Sequence, residues 1–342
     1  MERRLVSAVL ALGVFLIFCA GPAGAQVEVK YVPEKLPVPA EGKAAGWHAL
    51  LKAAANIAFS HNRSVVGNVD GATWNVGTLI QGGLGWLSAG GHSWENSLKW
   101  QLNYTQTPTL ERFVKSIDAF DFSSVYLYCV PSIKWMGPFT ELVLKTSVLP
   151  SYDIRADHLD VVKLDKDGNE TGRETVWAKN RIDLTGAFAP ALFKEGGGVF
   201  ADALDRKEIK LSFRAGLAAW EVLARNGYVV ADNAATPELE LKAIQDSTSL
   251  GGGAIAKAFG ALRPEVTYEA KAEVMYPFIL SVDTPLAGAD LLNVDLGFLL
   301  QVKLQKWLSL DYTLKALRLP LVSDRWQIQN GLLLSASLEL LR

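Results

Sequence analysis

The sequence predicts an all-β fold, a transmembrane antiparallel up-and-down β-barrel of about 12 strands (10–14). Three observations support this prediction. Apolar and polar residues alternate with a period of two through much of the chain after residue 45. Several alternating segments run for 12 or more residues, whereas strands of soluble proteins cluster at about 5–6. The sequence also lacks the series of amphipathic helices that would cover so large a sheet in a soluble protein.

The N-terminus has the pattern of an export signal. Arg3 and Arg4 precede an apolar core at residues 5–18, and small residues follow just before Gln26. The apolar core is shorter than the ~20 residues that a membrane-spanning helix needs. Residues 1–25 are therefore expected to be a signal peptide that directs export through the inner membrane, with the cell outer membrane as the expected location.

Residues 26–45 contain three prolines and several charges and are expected to form an extended periplasmic segment. The barrel is expected to occupy residues 46–342. Its clearest strand is SWENSLKWQLNYTQ at residues 93–106, which alternates without interruption between an apolar and a polar face. We expect the apolar face to contact lipid and the polar face to line a wet lumen. Similar segments occur, in chain order, at residues 47–60, 137–149, 207–220, 264–278, 292–304, 308–316 and 327–340.

Other segments are harder to assign. Residues 152–180 and 226–262 alternate less clearly, so each could contain a helical turn or an additional hairpin. The glycine runs at 195–198 and 251–253 are interpreted as loops, because they lack the Lys-Ser/Thr of a phosphate-binding loop. The sequence DKDGNE, which begins at Asp165, resembles the start of a calcium loop, but the twelfth position is not a glutamate, so a hairpin tip is favoured.

The residues that could carry catalysis are few. With the signal removed, Cys129 is the remaining cysteine, so no intramolecular disulfide can form. The sequence DHLD at residues 157–160 could orient a histidine base, but G-x-S-x-G is absent and a solvated loop is favoured. We therefore expect no enzyme activity, no cofactor and no metal site, with a membrane-embedded lipid hydrolase as an alternative. The histidines available to such a hydrolase are His48, His61, His92 and His158.

Charged residues on the polar faces are the candidate site residues. On the clearest strands eight acids face seven bases, and this balance predicts no strong ion selectivity. Both a narrow pore and a filled, water-lined interior fit such a balance. The formal net charge of −2 gives no support for nucleic-acid binding. The predicted lumen-lining residues are Glu95, Lys99, Glu141, Lys145, Lys210, Arg214, Glu269, Lys271, Asp295, Lys303, Asp311 and Lys315.

Two parts of the chain resemble bacterial outer-membrane β-barrel families of unknown function. The first is HSWENSLKWQLNYTQTPTLERFVKSIDAFDFSSVYLY at residues 92–128, followed by GPFTELVLKTSVLP. The second is VDLGFLLQVKLQKWLSLDYTLK at residues 294–315, which is similar to the last hairpin of such barrels. These motifs are architectural, so the resemblance implies a fold and a location and does not identify a cargo.

The expected function is that of a porin-like barrel of the cell envelope, either a small pore or a passive transport or structural barrel. The expected partners are outer-membrane lipid and, during biogenesis, the barrel-assembly machinery. Two alternatives stay open: the lipid hydrolase, and a scaffold or assembly partner for another envelope component. The sequence does not identify the cargo.

Overall fold

The computed structural model describes residues 45–62, 71–206, 208–231, 236–305 and 307–341. The expected signal peptide at 1–25 and the expected periplasmic segment, except for its last residue, lie outside this part of the chain. Twelve long strands form a barrel wall: β1 (Gly46–Asn62), β2 (Gly71–Leu87), β3 (His92–Thr107), β4 (Leu110–Tyr128), β5 (Met136–Thr146), β10 (Ala191–Asp205), β11 (Lys210–Leu223), β14 (Ser247–Arg263), β15 (Val266–Leu280), β16 (Asn293–Lys303), β17 (Leu308–Leu319) and β18 (Ser323–Leu341).

The wall closes on itself. Its strand order is β1-β18-β17-β16-β15-β14-β11-β10-β5-β4-β3-β2, and the first and last wall strands pair antiparallel, with Ala55 opposite Ala336. Every wall strand lies beside the preceding and following wall strands along the chain, which makes this an up-and-down barrel. The predicted fold class and the predicted strand number are confirmed.

The side-chain alternation read from the sequence is also found in the wall. In β3, Trp94 and Leu98 are exposed on the outer surface, whereas Glu95 and Lys99 are buried inside the barrel. Leu299 is the one apolar residue that interrupts the polar face of β16, and it too lies inside, only 2 % exposed. The period of two therefore fixes side-chain direction even where residue type would suggest the opposite face.

The two ends of the barrel differ in their connections. We call the end where β1 starts and β18 finishes the terminal end; its described connections are short turns, the longest being residues 129–135. We call the opposite end the loop end, because it carries the long connections at residues 147–190 and 224–246. An even number of antiparallel strands brings both ends of the wall to the terminal end.

A small folded unit lies within these two long connections. It consists of six short strands: β6 (Ser151–Ile154), β7 (Leu159–Leu164), β8 (Glu170–Val176), β9 (Arg181–Thr185), β12 (Tyr228–Val230) and β13 (Leu239–Ala243). Strands β12, β13, β7 and β8 form one sheet, in which β13 and β7 run parallel, and β6 pairs with β9. Val161, Ile182, Leu239 and Leu241 form its buried apolar core. We call this unit the loop sheet.

The loop sheet accounts for much of the first segment that was hard to assign and for part of the second. Residues 152–180 contain short strands of this sheet, whereas the end of 226–262 is the wall strand β14. The tip between β7 and β8 contains DKDGNE and is a hairpin tip, as expected.

The helix at Gly288–Leu291 is a single 3-10 turn. No helix in the described ranges is long and apolar enough to cross a membrane.

The glycine runs at 195–198 and 251–253 are not loops, so that interpretation is wrong. Both lie within wall strands, β10 and β14, and their glycines, at 196–198 and 251–253, are in register with residues 216–218 of β11 between them. A Cβ atom on Gly216 would collide with the carbonyl oxygen of Gly197 and would lie 2.7 Å from Cα of Gly198. Glycine is required here because the strand backbones approach too closely for a side chain, as happens where a barrel wall bends sharply.

We expect Gly216→Ala to destabilise the barrel by roughly 1–3 kcal/mol, since the added methyl group forces two strands apart. The matched control is Gly82→Ala, because a Cβ at Gly82 meets no atom within 4 Å. Urea unfolding of the refolded proteins in detergent micelles, followed by tryptophan fluorescence, gives both values. Equal stability of the two variants would show that the close approach of β10 and β11 is not a constraint.

Candidate functional site

The interior of the barrel is filled with side chains. Near the loop end an apolar cluster contains Leu192, Trp220, Val222, Met275 and Leu319, together with Ile244 from the connection before β14. Toward the terminal end, further buried apolar side chains occupy the interior, among them Val125, Phe139 and Phe200. The charged residues lie between these two apolar regions.

The centre of the charged region is the buried ammonium group of Lys194. Its Nζ lies 2.8 Å from Asp295 Oδ2 and 3.1 Å from Glu273 Oε2. The same Asp295 oxygen accepts a hydrogen bond from Lys145 Nζ at 2.7 Å. Lys194 Nζ also lies 3.8 Å from the ring centroid of Trp220, a cation–π contact that places the ammonium against the apolar cluster.

More ion pairs extend this arrangement around the lumen. Lys271 Nζ lies 2.8 Å from Glu273 Oε2, and Arg214 donates to Glu141 Oε2 at 2.5 Å. We call eleven of the charged residues that interact at this level of the lumen the charge network. Its members are Lys99, Asp121, Glu141, Lys145, Lys194, Arg214, Lys257, Lys271, Glu273, Asp295 and Lys315.

Several of these ion pairs run across the lumen. Lys145 lies on β5 and Asp295 on β16, and these strands are five steps apart in the ring of twelve (β16-β15-β14-β11-β10-β5). A contact between strands almost opposite one another must pass through the space where a solute would travel. The side chains of Lys194, Glu273 and Asp295 are only 4 %, 9 % and 6 % exposed, so little water reaches this level of the lumen.

The predicted lumen-lining residues divide into three groups. Seven belong to the charge network: Lys99, Glu141, Lys145, Arg214, Lys271, Asp295 and Lys315. Glu95, Glu269 and Asp311 lie on the inward faces nearer the terminal end, each three residues from the start of its strand. Lys210 and Lys303 are at the rim of that end, where Lys210 pairs with Asp205 and Lys303 is exposed.

The central residue, Lys194, was absent from the predicted set. It directly precedes the run 195–198, whose glycines are typical of a loop and conceal the strand β10 in the sequence. The alternation of Leu192, Lys194 and Phe200 on one face is the signal that places it, since all three are buried inside the barrel. Asp121 also lies outside the predicted set, because the apolar and hydroxyl residues around it in β4 make the polar face indistinct in the sequence.

The histidines that could serve a hydrolase have other contacts. His92 Nδ1 lies 2.6 Å from Tyr126 Oη, and the His92 ring stacks on Tyr128 at 4.6 Å between centroids. His158 lies in the connection before β7, with its ring 6.5 Å from that of Trp177. Within the described part of the chain, neither His92 nor His158 forms a hydrogen bond with a serine hydroxyl.

The DKDGNE tip is organised by its own first residue. The Asp165 carboxylate accepts hydrogen bonds from the backbone N–H groups of Asp167 and Asn169, and from the Asn169 side-chain amide at 3.0 Å. The side-chain and backbone hydrogen bonds from Asn169 hold the pKa of Asp165 below its ordinary value, because they favour the ionised form. This carboxylate therefore closes the turn between β7 and β8.

No protein-family model matches the chain, and no curated protein matches it by sequence. Solved structures with a similar arrangement include the translocator domain of the autotransporter NalP from Neisseria meningitidis (8 % identity, 87 % of this chain and 89 % of that one, TM-score 0.36). Another is the CymD monoaromatic hydrocarbon channel (10 % identity, 88 % and 90 % coverage, TM-score 0.32). Because these TM-scores are below 0.5, the barrel assignment rests on the strand pairing of the chain itself.

We expect Lys194→Met to lower the free energy of unfolding by roughly 3–5 kcal/mol, since Glu273 and Asp295 would lose a buried counter-charge. Lys163→Met is the matched control, because the Lys163–Glu174 pair is 35 % and 52 % exposed and such pairs contribute about 1 kcal/mol or less. Urea titration in lipid vesicles measures both. A loss for Lys194→Met no larger than that of the control would contradict a buried charge network.

Proposed function

We propose that the chain is an integral outer-membrane β-barrel that acts as a narrow passive conduit, with its resting lumen closed by the charge network. The observation that carries this proposal is the set of ion pairs between strands that are far apart in the ring, above all Lys145–Asp295. An open, wide pore would need its centre free of such contacts. A purely apolar filling would need no charged residues there at all.

The outer surface supports the membrane location. Exposed apolar side chains surround the wall, including Leu217 and Ile57, each 65 % exposed. Near the terminal end, four aromatic residues lie in register on neighbouring strands: Trp47, Trp86, Trp94 and Tyr126. Aromatic girdles of this kind flank the apolar band of outer-membrane barrels. Wall strands of 11 to 19 residues are long enough to cross a bilayer at a tilt.

A charge network that closes the lumen can also open it. When the two charges of an ion pair separate and both become hydrated, the net free-energy cost is modest. The attraction that is lost is largely offset, because neither charge stays desolvated. Rearrangement of Lys145 and Lys194 around Asp295 would widen the lumen at the level of these ion pairs. Passage of small solutes through such a site should therefore be infrequent and should increase when the shared carboxylate is removed.

A structural or scaffold role is the second candidate. It is favoured by the loop sheet, which has its own apolar core and is built from two connections distant in sequence. Such a unit gives the loop end a fixed shape that could hold an envelope partner.

The membrane location is tested by neighbouring residues of β16. Leu300 lies on the outer face and Gln301 on the inner face, opposite Asp311 of β17. Leu300→Arg should cost roughly 2–4 kcal/mol, because a charge would be held against hydrocarbon. Gln301→Arg should cost much less, since Asp311 can pair with the new cation. Urea titration in lipid vesicles gives the two values.

Spin labels at the same two positions identify the medium on each face. The label at 300 should be relaxed by oxygen dissolved in lipid and the label at 301 should not. If both positions were shielded from lipid-borne oxygen, the outer face would be covered by protein and the membrane location would be wrong.

The conduit is tested by recording from single proteins in planar bilayers. The wild type should give small, infrequent conductance steps, and Asp295→Asn should give larger or more frequent ones, because both lysines lose their shared acceptor. Asp205→Asn is the matched control, since it removes an ion pair at the rim that is half exposed. Large, steady steps from the wild type would contradict a closed lumen, and silence from both the wild type and Asp295→Asn would contradict a conduit.

A further inference from the structure

Lysines of the charge network form a row on neighbouring strands. Lys257 of β14 lies directly opposite Lys271 of β15, which in turn lies opposite Gly297 of β16. Gly297 lies opposite Lys315 of β17. All four positions have the inward direction of their strands, so three lysines and one glycine follow one another around a quarter of the lumen wall. Like charges in register on adjacent strands repel one another, so their presence together calls for an explanation.

The glycine in this row leaves room between two of the lysines. A Cβ atom built on Gly297 meets no atom within 4 Å, so the space over this residue is open. Its inward neighbours along β16 are Asp295, in the ion-pair centre, and Leu299, which is buried. Most of the lumen at this level is filled. The opening over Gly297 has Lys271 on one side and Lys315 on the other.

Lys315, on β17 opposite Gly297, is the last lysine of this row. Within the described part of the chain, no carboxylate oxygen lies within 4.0 Å of its ammonium group. Its acidic neighbours, Asp121 and Asp295, act on it at longer range, and Lys145 adds a repulsive interaction. An ammonium group inside the barrel that lacks a close anion is available to bind one.

The charge network as a whole has an excess of bases. It contains seven basic and four acidic residues. The other inward acids, Glu95, Glu269 and Asp311, lie nearer the terminal end. The sequence predicts nearly equal numbers of inward acids and bases, eight against seven. The acids and the bases are nevertheless distributed differently along the barrel. The bases of the network lie at the middle of the lumen, whereas the inward acids are divided between the middle and the region nearer the terminal end.

We infer that the opening over Gly297, between Lys271 and Lys315, is a binding site for a small oxyanion, the class that includes phosphate, sulfate and carboxylates. Such an anion would accept charge-assisted hydrogen bonds from the two ammonium groups and would reduce the repulsion within the lysine row. This inference deepens the proposed function. The binding site does not depend on that function, but the solute class does rest on it: the conduit would favour anions over cations.

Binding is measured on the full-length protein refolded in detergent, with inorganic phosphate as the probe and ionic strength held constant with potassium chloride. Phosphate should raise, with saturation, the temperature at which the folded barrel loses its altered gel mobility, because a ligand that binds only the folded state stabilises it. Lys315→Gln should weaken the apparent affinity roughly tenfold or more, since a desolvated contact with a charge is lost. Lys315→Arg should largely restore it.

A second variant separates the site from general electrostatics. Gly297→Leu fills the opening without changing any charge and should abolish the phosphate effect. Its matched control is Gly82→Leu, where a Cβ also meets open space but the side chain faces outward, next to the exposed Ile80 and Leu84. Circular dichroism and gel mobility without phosphate establish that each variant is folded. A phosphate effect that persists unchanged in Gly297→Leu would overturn the inference.

The solute class is measured by the reversal potential of the wild type in a gradient of potassium chloride across a planar bilayer. The wild type is expected to conduct chloride in preference to potassium. This preference should be smaller in Lys315→Gln. Saturable phosphate stabilisation without any conductance would keep the anion site and reject the conduit. Conductance with a preference for potassium and no phosphate stabilisation would keep the conduit and reject the anion site.

Discussion

Closure of the sheet is the constraint on which the rest of the structure depends. Once β1 pairs with β18, no strand edge is left unpaired in the wall, and every second side chain of twelve strands must point into one narrow space. Polar residues on those positions cannot reach bulk water along most of the barrel. They must find partners across the lumen or around it. The ion pair between Lys145 and Asp295, on strands nearly opposite one another, is a direct result.

The same constraint gives the lumen its order. Apolar side chains, including Trp220 and Met275, fill the loop end, and the charge network follows below them. Lys194 joins the two regions, since its ammonium group pairs with carboxylates while it also contacts the Trp220 ring. Buried charges of this kind are costly to leave without a partner, yet a complete set adds little net stability compared with apolar packing. A network with those properties fits the proposed conduit, whose resting lumen is closed by ion pairs.

The outer surface follows a different rule from the interior. Outside, residues are selected for an apolar surface and for aromatic rings at one level, as in the row that contains Trp47 and Trp94. Inside, they are selected for charge and for volume, so that glycine is present where backbones meet, as at Gly216, or where space is left, as at Gly297. The loop sheet adds a third environment, a small core of its own that includes Val161 and Leu241 and lies within the connections between wall strands.

The sequence by itself determined the fold class, the face on which each residue of the clear strands lies, and seven members of the charge network. These depend on the period of two, which is a local property of the backbone and needs no knowledge of the rest of the chain. Residues 93–106 and 292–316 could be assigned correctly for that reason. The glycine runs could not, because the feature that requires glycine at 216 is the backbone of a neighbouring strand.

Only the tertiary structure decided which charges meet. Lys145 and Asp295 are 150 residues apart in the chain, and Lys194 and Asp295 are 101 apart. Their contact depends on strand register and on the circular order of the wall, neither of which alternation specifies. Composition suggested an even balance of lumen charge. In the structure three lysines, Lys257, Lys271 and Lys315, lie in one row with Gly297, because the height of a residue along the barrel is set by the pairing of its strand with its two neighbours.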